Sequence, residues 1–425
     1  MQTITNPSKD QWQALLKRPL LDTAALEEKT AAILSAVKMN GDDAVKKYTA
    51  KFDGVDLKQI KVTAEEIAAA SELVSSELKV AVDIAKNNIS RFHTVQREPV
   101  IKTETMPGVS CWRKSVAIQK VGLYIPGGTA PLFSTLLMLG IPALLAGCDE
   151  IIVCTPCDKN GQVHPAILYV AGILGLKNIY KIGGVQAIAA MAYGTETVPQ
   201  IYKIFGPGNQ FVTCAKQLIS KEGIAIDMPA GPSEVAVYAD DSCDPAFVAA
   251  DLLSQAEHGP DSQVVLVATN NAIIEKVKTE LELQLVQLPR KEFAAQSLLN
   301  SKFIVMENVD DAFTLLNEYA AEHLIIASDN AAALSEKVLN AGSVFLGHYS
   351  PESVGDYASG TNHTLPTNGY AKAYSGVSLD SFLKKITFQQ LNKEGLNNIG
   401  NAVQIMAVAE GLEGHANAVR IRNKK

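Results

Sequence analysis

Gln255 and His258 sit three residues apart in the run Ser254-Gln255-Ala256-Glu257-His258-Gly259-Pro260-Asp261-Ser262, where an expected helix is closed by Gly-Pro. On a helix that spacing puts both side chains on one face. An amide and an imidazole add little to packing, because each carries polar groups that need partners once buried. A ligand site is the chemistry this pattern points to. Glu322-His323, the stretch Asp356 to His363, and the stretch Glu410 to His415 concentrate imidazoles and carboxylates in the same way. Zinc takes nitrogen and oxygen donors, so His258, Asp356 and His415 suit it, and Gln255 could add an amide oxygen, although a neutral Gln is an unusual ligand.

Of seven histidines, 258, 323, 363 and 415 fall in these polar segments. His93, His164 and His348 lack such company and read as surface or core residues. Glu322-His323 ends one expected helix and opens a strand, so its two side chains point different ways. His is the general base most easily run near neutral pH, and Glu can activate water. A helix C-terminus also favours His through its dipole, so a structural role stays open for this pair.

The chain that must position these groups has 425 residues, enough for two or more domains. Apolar residues make up 47% and charged residues 20%, which provides a large core and argues against global disorder. With 38 Lys+Arg against 45 Asp+Glu, the net charge of −7 gives no overall pull toward nucleic acid or anionic membrane. Met1–Asp10 lacks the apolar core of a signal peptide. The uncharged stretch Thr129–Cys148 is interrupted by Gly140 and Pro142 and reads as a buried helix rather than a membrane span. A cytoplasmic location is expected. Six scattered cysteines do not make a secreted disulfide framework, and Cys154-Thr155-Pro156-Cys157 reads as the end of a buried strand rather than a redox or zinc motif.

Up to about residue 115 the pattern is mainly helical, with apolar residues at three and four spacing over Leu21–Lys51 and Ala64–Phe92. Two sets of alternating β and α patterns follow. The first places strands at Val121–Ile125, Glu150–Thr155, Asn178–Ile182 and Tyr202–Phe205. The second places them at Glu234–Tyr238, Gln263–Ala268, Phe303–Met306, Leu324–Ala327 and Ser343–Leu346. The expected fold is α/β: two Rossmann-like doubly wound lobes, over 116–235 and 236–378, with a helical N-terminal segment (1–115) and a helical C-terminal tail (379–425). Ligands of such sheets bind beyond the carboxyl ends of the strands. Residues 348–378 read as a long loop whose Tyr, Asp and His content favours function.

Glycine turns end several strands: Tyr124-Ile125-Pro126-Gly127-Gly128, Gly183-Gly184-Val185-Gln186 and Gly206-Pro207-Gly208-Asn209. Such turns let backbone approach a phosphate at a helix N-terminus, and Gln186 and Asn209 stand where they could bond a ribose or amide. None is a G-x-G-x-x-G fingerprint, and tight connections between strand and helix need glycine in any case.

The run Leu252–Gln263 resembles the signature of L-histidinol dehydrogenases. So do Asp227-Met228-Pro229-Ala230-Gly231-Pro232-Ser233-Glu234, Phe205-Gly206-Pro207-Gly208-Asn209 and Gly355–His363, and the likeness runs from about 115 to 420. The resemblance implies oxidation of L-histidinol to L-histidine through L-histidinaldehyde with two NAD⁺, the last two steps of histidine biosynthesis. It implies a homodimer with one Zn²⁺ per subunit, held by Gln255, His258 and Asp356 of one subunit and His415 of the other. Manganese accepts the same donors and stays open. Glu322 and His323 match the acid–base pair. Ser233, His363 and Glu410 match substrate contacts, as do the metal-binding and acid–base residues themselves. Tyr124, Gln186 and Asn209 match NAD contacts. The same residue types leave two other readings: a zinc hydrolase, which has no use for NAD, and a non-catalytic two-lobed binding protein, which gives Glu322-His323 no task.

Overall fold

The computed structural model describes residues 2–18, 23–127, 131–229 and 231–424. Leu21, Gly128, Thr129 and Ala230, which belong to segments singled out above, lie outside the described residues. The chain starts with β1 (Gln2–Thr5), α1 (Lys9–Leu15), α2 (Thr23–Asp53), α3 (Ala64–Ala69), α4 (Ser76–Thr94), β2 (Lys102–Met106) and β3 (Val109–Ala117). The first lobe runs β4 (Lys120–Tyr124), α5 (Phe133–Ala146), β5 (Glu150–Cys154), α6 (Pro165–Ile173), β6 (Asn178–Tyr180), α7 (Gly184–Tyr193), β7 (Lys203–Phe205), α8 (Gln210–Ser220), β8 (Ala225–Ile226). The second runs β9 (Glu234–Ala239), α9 (Pro245–Ala256), β10 (Gln263–Ala268), α10 (Asn271–Leu285), α11 (Lys291–Asn300), β11 (Lys302–Val305), α12 (Val309–Tyr319), β12 (His323–Ala327), α13 (Ala331–Ser335), β13 (Ser343–Leu346). The tail holds α14 (Glu352–Tyr357), β14 (Leu383–Leu391), α15 (Lys393–Ala409) and α16 (Glu413–Asn423).

Both lobes carry parallel sheets with the same internal order, β6-β5-β4-β7-β8 and β11-β10-β9-β12-β13. This is the Rossmann-like winding expected of alternating β and α patterns. Each sheet is covered on both faces, which is why its strands read as apolar runs. Val235 and Val237 join one core while Ala236 and Tyr238 join the core on the opposite face. In the first lobe Val121 and Leu123 face one core, and Tyr124 and Ile152 the other. The Thr129–Cys148 stretch yields α5, buried from Ser134 to Ala143, and among the described residues no helix is long and apolar enough to cross a membrane.

The two flanking segments are not purely helical. β1 adds an edge strand to the second sheet, parallel to β11. β3 pairs antiparallel with both β2 and β14 in a separate three-stranded sheet that ties the two flanks together. Four residues are too few for β1 to show a period, and β2 is polar and exposed along its whole length, so neither signals a buried face. The 348–378 segment is not all loop, since it contains α14.

Candidate active site

Turns at the carboxyl ends of β4, β5, β6 and β7 surround a cavity of about 1060 Å³, joined by α2 residues such as Phe52 and Asp53. Tyr124, Gln186 and Asn209 all line it. The Tyr124 hydroxyl accepts the Gly184 N–H at 3.0 Å, and burial pushes its pKa up to about 12, so the phenol stays neutral. Gln186 is buried with its Oε1 unpaired. Asn209 caps α8, its Oδ1 accepting from the N–H groups of Phe211 and Val212 at 3.1 Å each. The N-terminal ends of α7 and α8 meet this cavity, which favours negative charge there.

The glycines also have a packing reason. A Cβ on Gly183 would press on Pro156, and one on Gly206 (φ 123°) would strike the Tyr124 carbonyl. The Gly206 turn is pinned by Asp227, which accepts its N–H at 2.8 Å and pairs with the buried Lys216. His164, expected to be without a ligand role, caps α6 through Nδ1 and lines the same cavity. His93 is buried beside Gln96, and His348 pairs with Asp329 at the surface. Cys154 ends β5, fully buried, and burial raises its thiol pKa well above the ordinary value, as expected for an inert strand end.

The second cluster forms where β9 and β12 begin. Glu322 is buried before β12, and its Oε2 accepts the Glu234 N–H at 3.0 Å. His323 opens β12, with Nδ1 3.2 Å from the Glu234 carbonyl, an arrangement that fits a proton on Nδ1 and leaves Nε2 as the basic nitrogen. That Nε2 is buried without a hydrogen bond of proper geometry, although Asp356 Oδ1 lies 3.3 Å away. Nδ1 has two further carboxylates close by, Glu322 at 3.7 Å and Glu352 at 3.9 Å. Burial lowers the His323 pKa, but Glu322, Asp356 and Glu352 outweigh it and raise the pKa to about 10. Burial pushes Glu322 up to about 7 against the pull of His323, and Glu352 up to about 8. The alternative that a helix dipole alone explains His323 does not hold: α12 stops at Tyr319, Ala320 turns left-handed (φ 52°), and carboxylates surround the imidazole.

Gln255 is buried at the last turn of α9. α9 ends at Ala256, and His258 follows it in a further turn three residues on from Gln255, close enough to feel the charges of Asp356, His323 and His363. The His258 N–H turns back to the Gln255 carbonyl at 3.3 Å, and the His258 imidazole is exposed in the turn before Gly259-Pro260. Surrounding protein lowers the His258 pKa despite the opposing pull of Asp356. Burial raises Asp356, but His323, His363 and His258 outweigh it and keep it ionised below its ordinary value. His363 is held between the Asp356 carbonyl (Nδ1, 2.8 Å) and the Thr135 hydroxyl of α5 (Nε2, 3.0 Å). Ser233 leads into β9, half-buried. Glu410 and His415 are exposed at the end of α15 and the start of α16, which packs on α15. Within the chain His415 is not brought to the other three, and among the described residues no three His, Cys, Asp or Glu groups close on one metal position.

The location overturns one expectation. Glu234 and His323 are the first residues of their strands, so this cluster stands at the amino ends of the second sheet, not beyond its carboxyl ends. Helix polarity decides what charge each end of such a sheet favours. Amino ends of strands collect helix C-termini, here that of α9, whose free carbonyls favour cations, whereas carboxyl ends collect the helix N-termini that favour phosphates.

Sequence reading missed Glu352 and the pair Arg18–Glu234. Glu352 is a lone Glu in a segment read as loop, but it is 1% exposed, and its Oε1 accepts the Ser254 hydroxyl at 2.8 Å. Arg18 grips Glu234 through two bonds of 2.5 and 2.8 Å, and Glu234 also accepts the Asn368 N–H at 2.8 Å. Removing one member of a buried pair strands the other charge. Arg18→Ala is therefore expected to lower unfolding stability by about 3–5 kcal/mol, read from urea midpoints at unchanged slope. A loss no larger than that of a surface substitution would refute it.

A cavity of about 1060 Å³ on one Rossmann-like sheet and a buried cluster of carboxyl groups and an imidazole on the other mark a two-lobed α/β protein. A family model described as histidinol dehydrogenase matches residues 16–423. The chain is 60% identical to the histidinol dehydrogenase of Bacteroides thetaiotaomicron and 57% to that of Bacteroides fragilis, each over 99% of both chains. The crystal structure of histidinol dehydrogenase from Elizabethkingia anophelis superposes with a TM-score of 0.98 at 54% identity, covering 100% of this chain and 98% of that one. The chain belongs to the histidinol dehydrogenase family of oxidoreductases.

Proposed function

We propose that this chain oxidises L-histidinol to L-histidine through L-histidinaldehyde with two NAD⁺, as a zinc-dependent homodimer. The observation that supports the chemistry is the buried Nε2 of His323, without a hydrogen bond of proper geometry and 3.3 Å from Asp356, while Glu322 lies 3.7 Å from Nδ1. The donor set fits a metal, because His258 is kept neutral and Asp356 ionised, the forms in which they ligate. Gln255, His258 and Asp356 would hold zinc from one subunit, and His415 from the other. When bound there, zinc would supply a Lewis acid suited to the nitrogen donors of histidinol. When bound in the cavity of the first lobe, NAD⁺ supplies the oxidant, and Tyr124, Gln186 and Asn209 are its contacts.

His323 removes the hydroxyl proton of the alcohol through Nε2 during the first oxidation. Glu322 then takes a proton from water as that water adds to the aldehyde carbonyl, and the carbonyl oxygen receives the proton held on His323 Nε2, which frees the imidazole to act again. His323 removes a hydroxyl proton from the resulting hydrate during the second oxidation. His363, locked between α5 and α14, Ser233 and the second subunit's share of the site keep the substrate oriented, a contribution of up to about 7–11 kcal/mol at best. Water attack on an amide or ester would leave the cavity of the first lobe without a task, which disfavours the hydrolase reading.

Counting products tests the reading: two NADH are expected per histidine formed, with formation of both abolished by a chelator and restored by zinc. One NADH per turnover, or turnover untouched by chelation, would contradict it.

A further inference from the structure

We propose that Glu352 is a positioning residue that sets the orientation of the Gln255 amide and thereby makes a neutral side chain serve as a metal ligand. The inference rests on the metal reading above and concerns why that ligand is an amide. Glu352 opens α14 and is 1% exposed. With its NH₂ turned toward this carboxyl group, the Gln255 nitrogen donates to both Glu352 oxygens at 3.2 Å each. The Ser254 hydroxyl donates to Oε1 at 2.8 Å, so two consecutive residues of α9 fix Glu352 in place.

An amide has one donating and one accepting end, and Glu352 in its ionised form only accepts; burial opposes that form, while the adjoining His323 imidazole and the Ser254 hydroxyl favour it. Buried against Glu352, Gln255 has a single satisfied orientation, with NH₂ toward Glu352 and Oε1 turned away from it. Glu at 255 would set carboxyl against carboxyl at that spacing. Asp or His at 255 would offer no NH₂ of this reach. Glu352 also stands 3.9 Å from His323 Nδ1, so one side chain spans the metal ligand and the base. Partners that orient ligands in this way are worth about 10–100-fold in metal affinity.

The test is a zinc titration of the full-length protein against a chromophoric chelator, with thermal midpoints recorded alongside. Glu352→Leu is expected to bind zinc about 10–100-fold more weakly than the unsubstituted chain. Gln255→Glu combined with Glu352→Gln exchanges donor and acceptor and is expected to bind at least about tenfold more tightly than Gln255→Glu alone. A generic packing role would not produce that rescue, and the rescue decides the matter if Glu352→Leu does not fold. Unchanged affinity in a folded Glu352→Leu, or no gain from the second substitution, overturns the proposal while leaving the metal site standing. An unsubstituted chain that binds no zinc overturns both.

Discussion

Glu322→Gln is expected to oxidise L-histidinol to the aldehyde within about tenfold of the unsubstituted rate, yet lose about 10²–10⁴-fold on L-histidinaldehyde, the range a positioned general base is worth. The two half-reactions differ in one proton. Apart from the hydride that each substrate gives up, the alcohol needs only its hydroxyl proton removed, which in the proposed mechanism falls to His323. The aldehyde must first gain water, and the carboxyl group able to take that proton is Glu322, pushed by burial up to about 7 and so poised near neutrality. The amide is nearly isosteric, and its oxygen can still accept the Glu234 N–H that Glu322 accepts now at 3.0 Å. It also removes a negative charge 3.7 Å from His323 Nδ1, one of the causes that raise the His323 pKa, so the imidazole is neutral more of the time and remains a competent base. Separate rates with alcohol and with aldehyde, both followed by NADH, check this. Equal losses on the two substrates would sink the division of labour.

Two inactive variants, His258→Ala and His415→Ala, are expected to regain roughly a quarter of full activity when mixed in equal amounts and allowed to exchange subunits. Half of the dimers would then be mixed, and each mixed dimer would hold one complete site. The reasoning starts from placement. Gln255, His258 and Asp356 belong to α9, the turn after it, and α14, whereas His415 is exposed on α16, which packs on α15. Large apolar side chains stand exposed along the same two helices and the turn between them, among them Ile405, Met406, Val408, Leu412 and Ile421, as do Tyr349 and Tyr357 on either side of Asp356. Exposed apolar surface of that kind marks an interaction site, and a second copy of the chain would cover both sets at once. Activity that stays absent after verified exchange would show that all ligands come from one subunit.

Much of the scaffold was legible because parallel strands covered on both faces write themselves as apolar runs. Gln263–Ala268 and Ser343–Leu346 have the bounds the residues alone imply. The flanking sheet was not legible, because Lys102–Met106 has no buried face and β14 lies more than 260 residues away from its partner β3. Glu322 and His323 stood out through their types. Their position at the amino ends of the strands did not, since the end of a sheet that carries a site depends on which helix termini surround it. Glu352 and Arg18 escaped for a related reason: each acquires its role from a neighbour distant in sequence, Arg18 from Glu234 and Glu352 from Ser254 and His323.

The start of α5 touches both halves of the machine: Pro131, just ahead of it, borders the cavity, and Thr135 holds His363 beside Asp356. Most other contacts of the cavity come from the first lobe and α2, and those of the cluster from the second lobe and α14. Under the proposed function, redesign of coenzyme preference would concentrate on 124–209 and leave 322 and 323 undisturbed, provided this short stretch of apolar helix is kept intact. Conversely, a lesion there would derange oxidant and alcohol together, and would look in kinetic assays like a fault in neither.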